Sequence, residues 1–240
     1  MTIPVLDLGL APYLPLQDLQ GRLRAAVADG LLQGVVLLLE HPPVITLGNR
    51  GVQADLRNHA LVRSRRVSVV VSERGGQTTL HAPGQLVVYP VVPIPRHDLR
   101  GYVRGLEEVF MLLLAKHGVS AHRRDGHPGL YVRGEKIMSV GLRCSRWVAS
   151  HGASFNVNVD LTLFDLIVSC GETNLHQTSL QALAGRAFAM DEMKTACLDA
   201  MSRVFGWELG PVRSAGYEMV EEYLGLPRPP HAGVPTTEMP

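Results

Sequence analysis

Val35-Val36-Leu37-Leu38-Leu39-Glu40-His41-Pro42-Pro43-Val44-Ile45-Thr46-Leu47 reads as two short strands parted by a break. Val35 to Leu39 is an unbroken apolar stretch, and Val35 to Glu40 reads as a short strand. Pro42 and Pro43 cannot donate to a ladder, so the run stops there, and Val44 to Leu47 starts a second strand. Downstream, Val67 to Val71 is β-branched and apolar, which predicts a strand buried on both faces, and Gln85 to Val92 reads the same way. The intervening Arg74 to Gly84 is polar and rich in glycine, with the look of a loop. Three further apolar runs follow at Leu130 to Val132, Ile137 to Leu142 and Phe155 to Val159.

Helices are fewer. Leu16, Leu19, Leu23 and Val27 recur at helical spacing, with Gly30 as the stop. Leu99, Val103, Leu106, Phe110, Leu113 and His117 share one face of a second helix that ends at Gly118. A third starts near Asp191 as N-cap and buries Met193, Cys197, Met201 and Val204. Strands arrive in groups and do not alternate with helices. That predicts an α+β (α/β) fold, a mixed β-sheet flanked by helices, over a doubly wound sheet. Residues 1–225 are expected to form a single domain. From Leu226 onward five of fifteen residues are proline, which predicts a flexible tail over 226–240.

Composition narrows the function. The 240 residues carry 23 basic and 22 acidic side chains, so no global charge favours nucleic acid. No apolar stretch approaches the length that spans a bilayer, and Met1-Thr2-Ile3-Pro4 is unlike a signal peptide, so no membrane partner and a cytoplasmic location are expected. Cys144, Cys170 and Cys197 are odd in number and widely spaced, which suits neither a disulfide framework nor a zinc site. Neither HExxH nor GxSxG nor a P-loop occurs, and no metal or cofactor is expected.

Four segments can carry chemistry. In Arg74-Gly75-Gly76-Gln77-Thr78-Thr79-Leu80-His81-Ala82-Pro83-Gly84-Gln85 the paired glycines admit close backbone approach, while arginine, glutamine and histidine supply directional polar contacts. An ordinary hairpin loop would use the same residues. Gly134-Glu135-Lys136-Ile137-Met138-Ser139-Val140-Gly141 holds the one lysine between Lys116 and Lys194. His151-Gly152-Ala153-Ser154-Phe155 could wall a narrow slot. Ile167-Val168-Ser169-Cys170-Gly171 places a thiol in a small-residue turn. A free cysteine is most often an inert small hydrophobe, as Cys197 on its apolar stripe would be. If Lys136 points inward beside Cys170, its ammonium favours the nucleophilic thiolate. A thiol hydrolase using His81 or His151 as base is the competing constellation.

In this order the segments resemble the octanoyltransferases of lipoate biosynthesis, from His41-Pro42-Pro43-Val44-Ile45-Thr46-Leu47-Gly48 to Thr178-Ser179-Leu180. The resemblance implies a fold like the biotin- and lipoate-protein ligase catalytic domain. It also implies transfer of an octanoyl group from octanoyl-acyl-carrier-protein to a lysine of a lipoyl domain, through a thioester on Cys170 with Lys136 as the second catalytic residue. Acceptors would be the lipoyl domains of 2-oxoacid dehydrogenases and the glycine-cleavage H protein. Substrate contacts would fall on Arg74, Gly75, Gly76, Gln77, Thr78, Thr79, Leu80 and His81, on Ser139, Val140 and Gly141, and on Gly152, Ala153 and Ser154. Backbone amides at Gly171 or Gly76 are candidate oxyanion donors, and Arg143 and Arg146 candidate contacts for an acidic carrier. Ala82, Ser154, Ser169 and the run after Gly171 depart from the family pattern. An ATP-dependent lipoate- or biotin-protein ligase and a non-catalytic acyl-binding protein are the alternatives.

Overall fold

The structure is a computed structural model and describes residues 2–227. Its strands in chain order are β1 (Ile3–Leu10), β2 (Val35–Glu40), β3 (Val44–Leu47), β4 (Ser68–Val71), β5 (Thr78–His81) and β6 (Gln85–Val91). They continue with β7 (His122–Arg124), β8 (His127–Val132), β9 (Glu135–Ser145), β10 (Val148–Asn156) and β11 (Leu209–Ser214). The helices are α1 (Tyr13–Ala28), α2 (His59–Ser64), α3 (Leu99–Lys116), α4 (Leu180–Ala184), α5 (Met190–Phe205) and α6 (Val220–Tyr223). Eight strands form one mixed sheet in the order β11-β1-β2-β6-β10-β9-β8-β7, and β4-β3-β5 form a small second sheet. The pairs β1–β11 and β1–β2 are parallel, and the ladders from β2 through β7 are antiparallel. The α+β expectation holds.

Both faces of the large sheet are covered, which is why β2 and β6 read as unbroken apolar runs. Val36, Leu38, Leu86 and Val88 pack into one core with Phe110 and Leu113 of α3 and Cys197 and Met201 of α5. Val35, Leu37, Leu39, Val87 and Tyr89 pack into a second core with Leu16, Leu19, Leu23 and Val27 of α1. The alternation of side chains along a strand thus divides each run between two hydrophobic layers. A third cluster joins Ile45, Leu47 and Leu80 of the small sheet to Val159, Phe164 and Ile167.

Three expectations need correction. Val67 to Val71 is not buried on both faces: β4 is an edge strand of the small sheet, and Val71 is 74% exposed. The Arg74 to Gly84 stretch is not all loop, for β5 lies within it and its four residues are all buried. Helix α5 is capped at Ala189, and Asp191 sits in its first turn with Glu192, where both carboxylates favour the positive end of the helix dipole. The proline-rich segment beyond Pro227 lies outside the described residues. Among those described, no helix is long and apolar enough to cross a membrane.

Candidate active site

Cys170 occupies a single 3-10 turn, Ser169–Gly171, in left-handed backbone geometry (φ 55°, ψ 23°), and Gly171 follows at φ +70°. A cysteine gains nothing locally from this conformation, which costs about 1–2 kcal/mol for an L-residue. The surrounding chain imposes it. Val168 N–H donates to Asp55 O at 2.7 Å, and Leu56 and Ile167 form an antiparallel bridge, so the turn hangs from the segment after β3. Gly171 is favoured by its left-handed φ, and a Cβ there would also displace the Gln77 side-chain amide, 2.2 Å away.

Lys136 Nζ lies 3.2 Å from Cys170 Sγ, although 34 residues separate them. The meeting is built by the backbone: Lys136 N–H donates to His176 O and Thr178 N–H donates to Lys136 O, both at 2.9 Å. The start of β9 is thereby stitched to the chain just past the thiol. Lys136 is only 3% exposed. Burial works against its charge, but the Cys170 sulfur and the Tyr131 hydroxyl outweigh burial and raise its pKa above the ordinary lysine value. The ammonium is therefore kept at neutral pH. Its Nζ also lies 5.4 Å from the Tyr131 ring centroid.

Lys136 and Cys170 open onto a cleft of about 240 Å³. Arg74, Gly75, Gly76, Gln77, Thr78, Thr79 and His81 line one wall, and Ser139, Val140 and Gly141 on β9 with Gly152, Ala153 and Ser154 on β10 line the other. Every residue expected from the sequence to catalyse or to line the acyl site is on the cleft except Leu80, whereas Gly171, Arg143 and Arg146 do not line it. Strand alternation turns Leu80 away from its neighbours Thr79 and His81, into the third core.

Residues that sequence reasoning missed also line it: Leu99 and Val103 from α3, Tyr89 from β6, and the Gly126-His127-Pro128 turn. Leu99 and Val103 were assigned to the core face of α3. The face carries on past the core, leaving Leu99 39% exposed at the cleft, and nothing in the helical period marks where core ends and cleft begins.

The floor is polar. Arg74 is 6% exposed and donates to Thr46 O and Oγ1 (both 2.7 Å from Nη2) and to Gly75 O at 3.2 Å. Burial lowers its pKa, with Tyr13 and Cys170 pulling the other way. Beside it stand three buried histidines. His41 Nδ1–H donates to Ala11 O at 2.6 Å, a carbonyl that can only accept, so Nε2 accepts from Tyr89 OH at 2.9 Å. His81 Nδ1 pairs with Gln85 Oε1 at 2.7 Å, and Gln85 Nε2 passes the network to Asn156 Oδ1 at 2.8 Å. His151 takes a left-handed φ of 56° and donates its backbone N–H to Gln20 Oε1. Burial pushes the pKa of His41 down to about 4 and that of His151 to about 3, and holds His81 well below its usual range, so all three are neutral at pH 7.

These contacts favour the lysine-paired thiol over a thiol with His81 as its base. The hydrogen-bond partner of the Cys170 sulfur is Lys136, while His81 is engaged with Gln85. Of the two amide candidates, Gly76 N–H is already given to Asn49 Oδ1 at 3.1 Å, whereas Gly171 N–H reaches Val168 O only at 3.4 Å. Arg143 and Arg146 are each in an ion pair, with Glu73 and Asp29. Cys197 is fully buried, and desolvation pushes its thiol up to about 12. No group of three or more possible metal ligands occurs among the described residues.

Residues 12–202 match the family described as the lipoyl protein ligase A/B catalytic domain. An octanoyltransferase of Maridesulfovibrio salexigens is 37% identical over 83% of this chain and 95% of its own. One from Chloroflexus aurantiacus is 41% identical over 86% of this chain and 96% of its own. The chain belongs to the octanoyltransferase family. It is an acyltransferase sharing the lipoyl protein ligase A/B catalytic domain. A lipoate-protein ligase A bound with ATP superposes with a TM-score of 0.74 at 15% identity, covering 93% of this chain and 94% of that one. A putative lipoate protein ligase from T. acidophilum with bound lipoic acid gives 0.72, also at 15% identity, over 93% and 95%. At such identity these structures establish the shared fold of the octanoyltransferase and the ligases.

Proposed function

We propose that this octanoyltransferase uses Cys170 as a covalent relay. Its thiolate attacks the octanoyl thioester of acyl-carrier-protein, and the carrier thiol leaves with a proton from Lys136. A neutral lysine of a lipoyl domain then attacks the Cys170 thioester, an amide forms, the Cys170 thiolate departs, and Lys136 takes up the amine proton. Both half-reactions balance without ATP, because the energy of the donor thioester is kept in the enzyme thioester until the amide forms. The observation that carries this reading is the 3.2 Å contact between Lys136 Nζ and Cys170 Sγ at the mouth of the cleft. Gly171 N–H is the oxyanion donor this geometry favours, and the cleft walls hold the acyl chain. Acceptors of the reaction would be the lipoyl domains of 2-oxoacid dehydrogenases and the glycine-cleavage H protein. Residues 1–225 would act as one catalytic domain, in the reducing cytoplasm that keeps such a thiol free.

Intact-mass analysis after incubation with octanoyl-carrier tests it directly. The wild type gains one octanoyl group that peptide mapping places on Cys170, and Cys170→Ala gains none and loses more than about a thousandfold in transfer rate. An adduct on Cys144, full activity without Cys170, or a requirement for ATP with free octanoate would overturn the reading.

A further inference from the structure

The two residues after Gly171, Glu172 and Thr173, carry an arrangement that the transfer chemistry above does not use. Glu172 sends its carboxylate back to the β7–β8 hairpin, where Oε2 accepts from Arg124 Nη2 and Oε1 lies 2.9 Å from His127 Nδ1. Arg124 and His127 face each other in the ladder, so one carboxylate is held by a cross-strand pair. From the opposite side Arg57 donates to the Thr173 carbonyl. The Cys170 turn is therefore fastened on both flanks, by the β7–β8 hairpin and by the segment before α2. Within the loop itself, Glu172 N–H to Ser169 O at 3.0 Å is the main tie.

Charge makes the Glu172 contact more than a fastening. Arg124 Cζ and Lys136 Nζ lie 5.1 and 5.4 Å from the centroid of the same Tyr131 ring. A carboxylate two residues from Cys170 is close enough to feel Lys136, whose ammonium is one of the charges favouring its ionised form. The Cys170 sulfur and the Glu172 carboxylate thus both draw on Lys136, and Arg124 with His127 satisfies the carboxylate. The pair is partly exposed, with 39% and 25% of the two side chains open to solvent, so its net contribution to folding is small. Its weight lies in where it leaves the carboxylate.

We propose that Arg124 and Glu172 are positioning residues of the acyl transfer: their ion pair holds the Cys170 turn against the β7–β8 hairpin and keeps the Glu172 carboxylate away from Lys136. This rests on Cys170 being the acylated residue, and it makes a prediction of sign. Removing Arg124 alone leaves the carboxylate with only the His127 contact on the hairpin and lets it turn toward Lys136, whereas removing Glu172 alone leaves no carboxylate to compete. The Arg124 variant is then the worse of the two, and deleting Glu172 as well repairs it.

The test compares wild type, Arg124→Ala, Glu172→Ala and the double variant, each checked for folding by thermal melt. Alkylation of Cys170 by iodoacetamide at pH 7 is followed by peptide mass, which separates it from Cys144, and octanoyl loading from octanoyl-carrier is followed in parallel. Arg124→Ala is expected to slow both on the order of tenfold with the KM for the carrier unchanged, Glu172→Ala by less than about threefold, and the double variant to return to the Glu172→Ala level. Should Arg124→Ala fail to fold, Arg124→Gln, which keeps hydrogen bonding without charge, serves in its place. A double variant as slow as Arg124→Ala, or three variants indistinguishable from wild type in alkylation, overturns the proposal. Absence of octanoyl loading on wild-type Cys170 overturns the acyl-relay reading instead, while the alkylation comparison still decides the role of the pair.

Discussion

Lys136 has two separable attributes, a charge and a removable proton, and its surroundings preserve both. Burial alone would strip the charge, yet the sulfur and the Tyr131 hydroxyl keep it. Because the pKa is raised, the ammonium persists through the neutral range, and any stabilisation from its contacts is present there and fades only above the ordinary lysine pKa. Lys136→Met is expected to lower kcat by about 10²–10³-fold, the usual worth of a positioned proton donor. Lys136→Arg separates the attributes, since a guanidinium keeps the charge and cannot give up its proton. Rapid alkylation of Cys170 with octanoyl transfer still depressed would identify proton transfer as the limiting loss, and restored transfer would show that charge alone suffices.

At the scale of elements, two glycines show how strands are pressed together to make the walls. A Cβ on Gly152 would lie 2.1 Å from the Val88 carbonyl oxygen, inside the β10–β6 ladder where neither backbone can yield. Gly152→Ala is expected to destabilise the fold by about 2 kcal/mol or more, read from chemical denaturation. A Cβ on Gly141 meets Cδ of the buried, Thr46-bound Arg74 at 2.9 Å, so Gly141→Ala should disturb the floor and cost some stability, less than Gly152→Ala because a side chain and not a backbone must shift. Helix α3 offers a third handle. Val103→Phe fills the cleft from the helix side and should shift preference toward shorter acyl chains, by about fourfold in kcat/KM per methylene excluded.

What the sequence disclosed at this scale follows burial. Strands covered on both faces announce themselves, and β2, β3 and β6 start where the apolar runs do. β1 and β11 escaped notice because Pro4, Gly9, Gly210 and Pro211 interrupt their pattern, as befits strands near the sheet edge. β5 was hidden for the opposite reason: its threonines and His81 are polar yet buried, held by Asp55 from an earlier segment and by Gln85 at the start of β6. The cleft residues were legible because they sit in four compact segments. That Lys136 meets Cys170, and that Leu80 turns away from the cleft, depends on strand pairing and orientation that spacing alone does not carry.

For the molecule as a whole, three buried neutral histidines set its response to acid. In the unfolded chain each would protonate near pH 6.5, whereas folding holds His41 to about 4 and His151 to about 3. The unfolded state therefore binds more protons below pH 6.5, and stability falls as pH drops toward the folded values. At pH 5 His41 and His151 each withdraw about 2 kcal/mol. Urea denaturation at pH 7 and pH 5 is expected to show a markedly lower midpoint at the lower pH, with His151→Asn flattening the difference.

The stitching of Lys136 to His176 and Thr178 has a consequence for how the cleft can open. Both backbone groups of Lys136 are bonded to the chain that returns from Cys170, so ammonium and thiol share one local frame. The opposite wall, from Arg74 to His81, joins β9 further along the strand, where Gly75 N–H donates to Leu142 O at 2.8 Å, and meets the thiol turn through Gln77 against Gly171. Widening the cleft at the Gln77 contact would break none of the backbone bonds that set the 3.2 Å contact. A bulky substrate could then come and go without parting the lysine from the thiol.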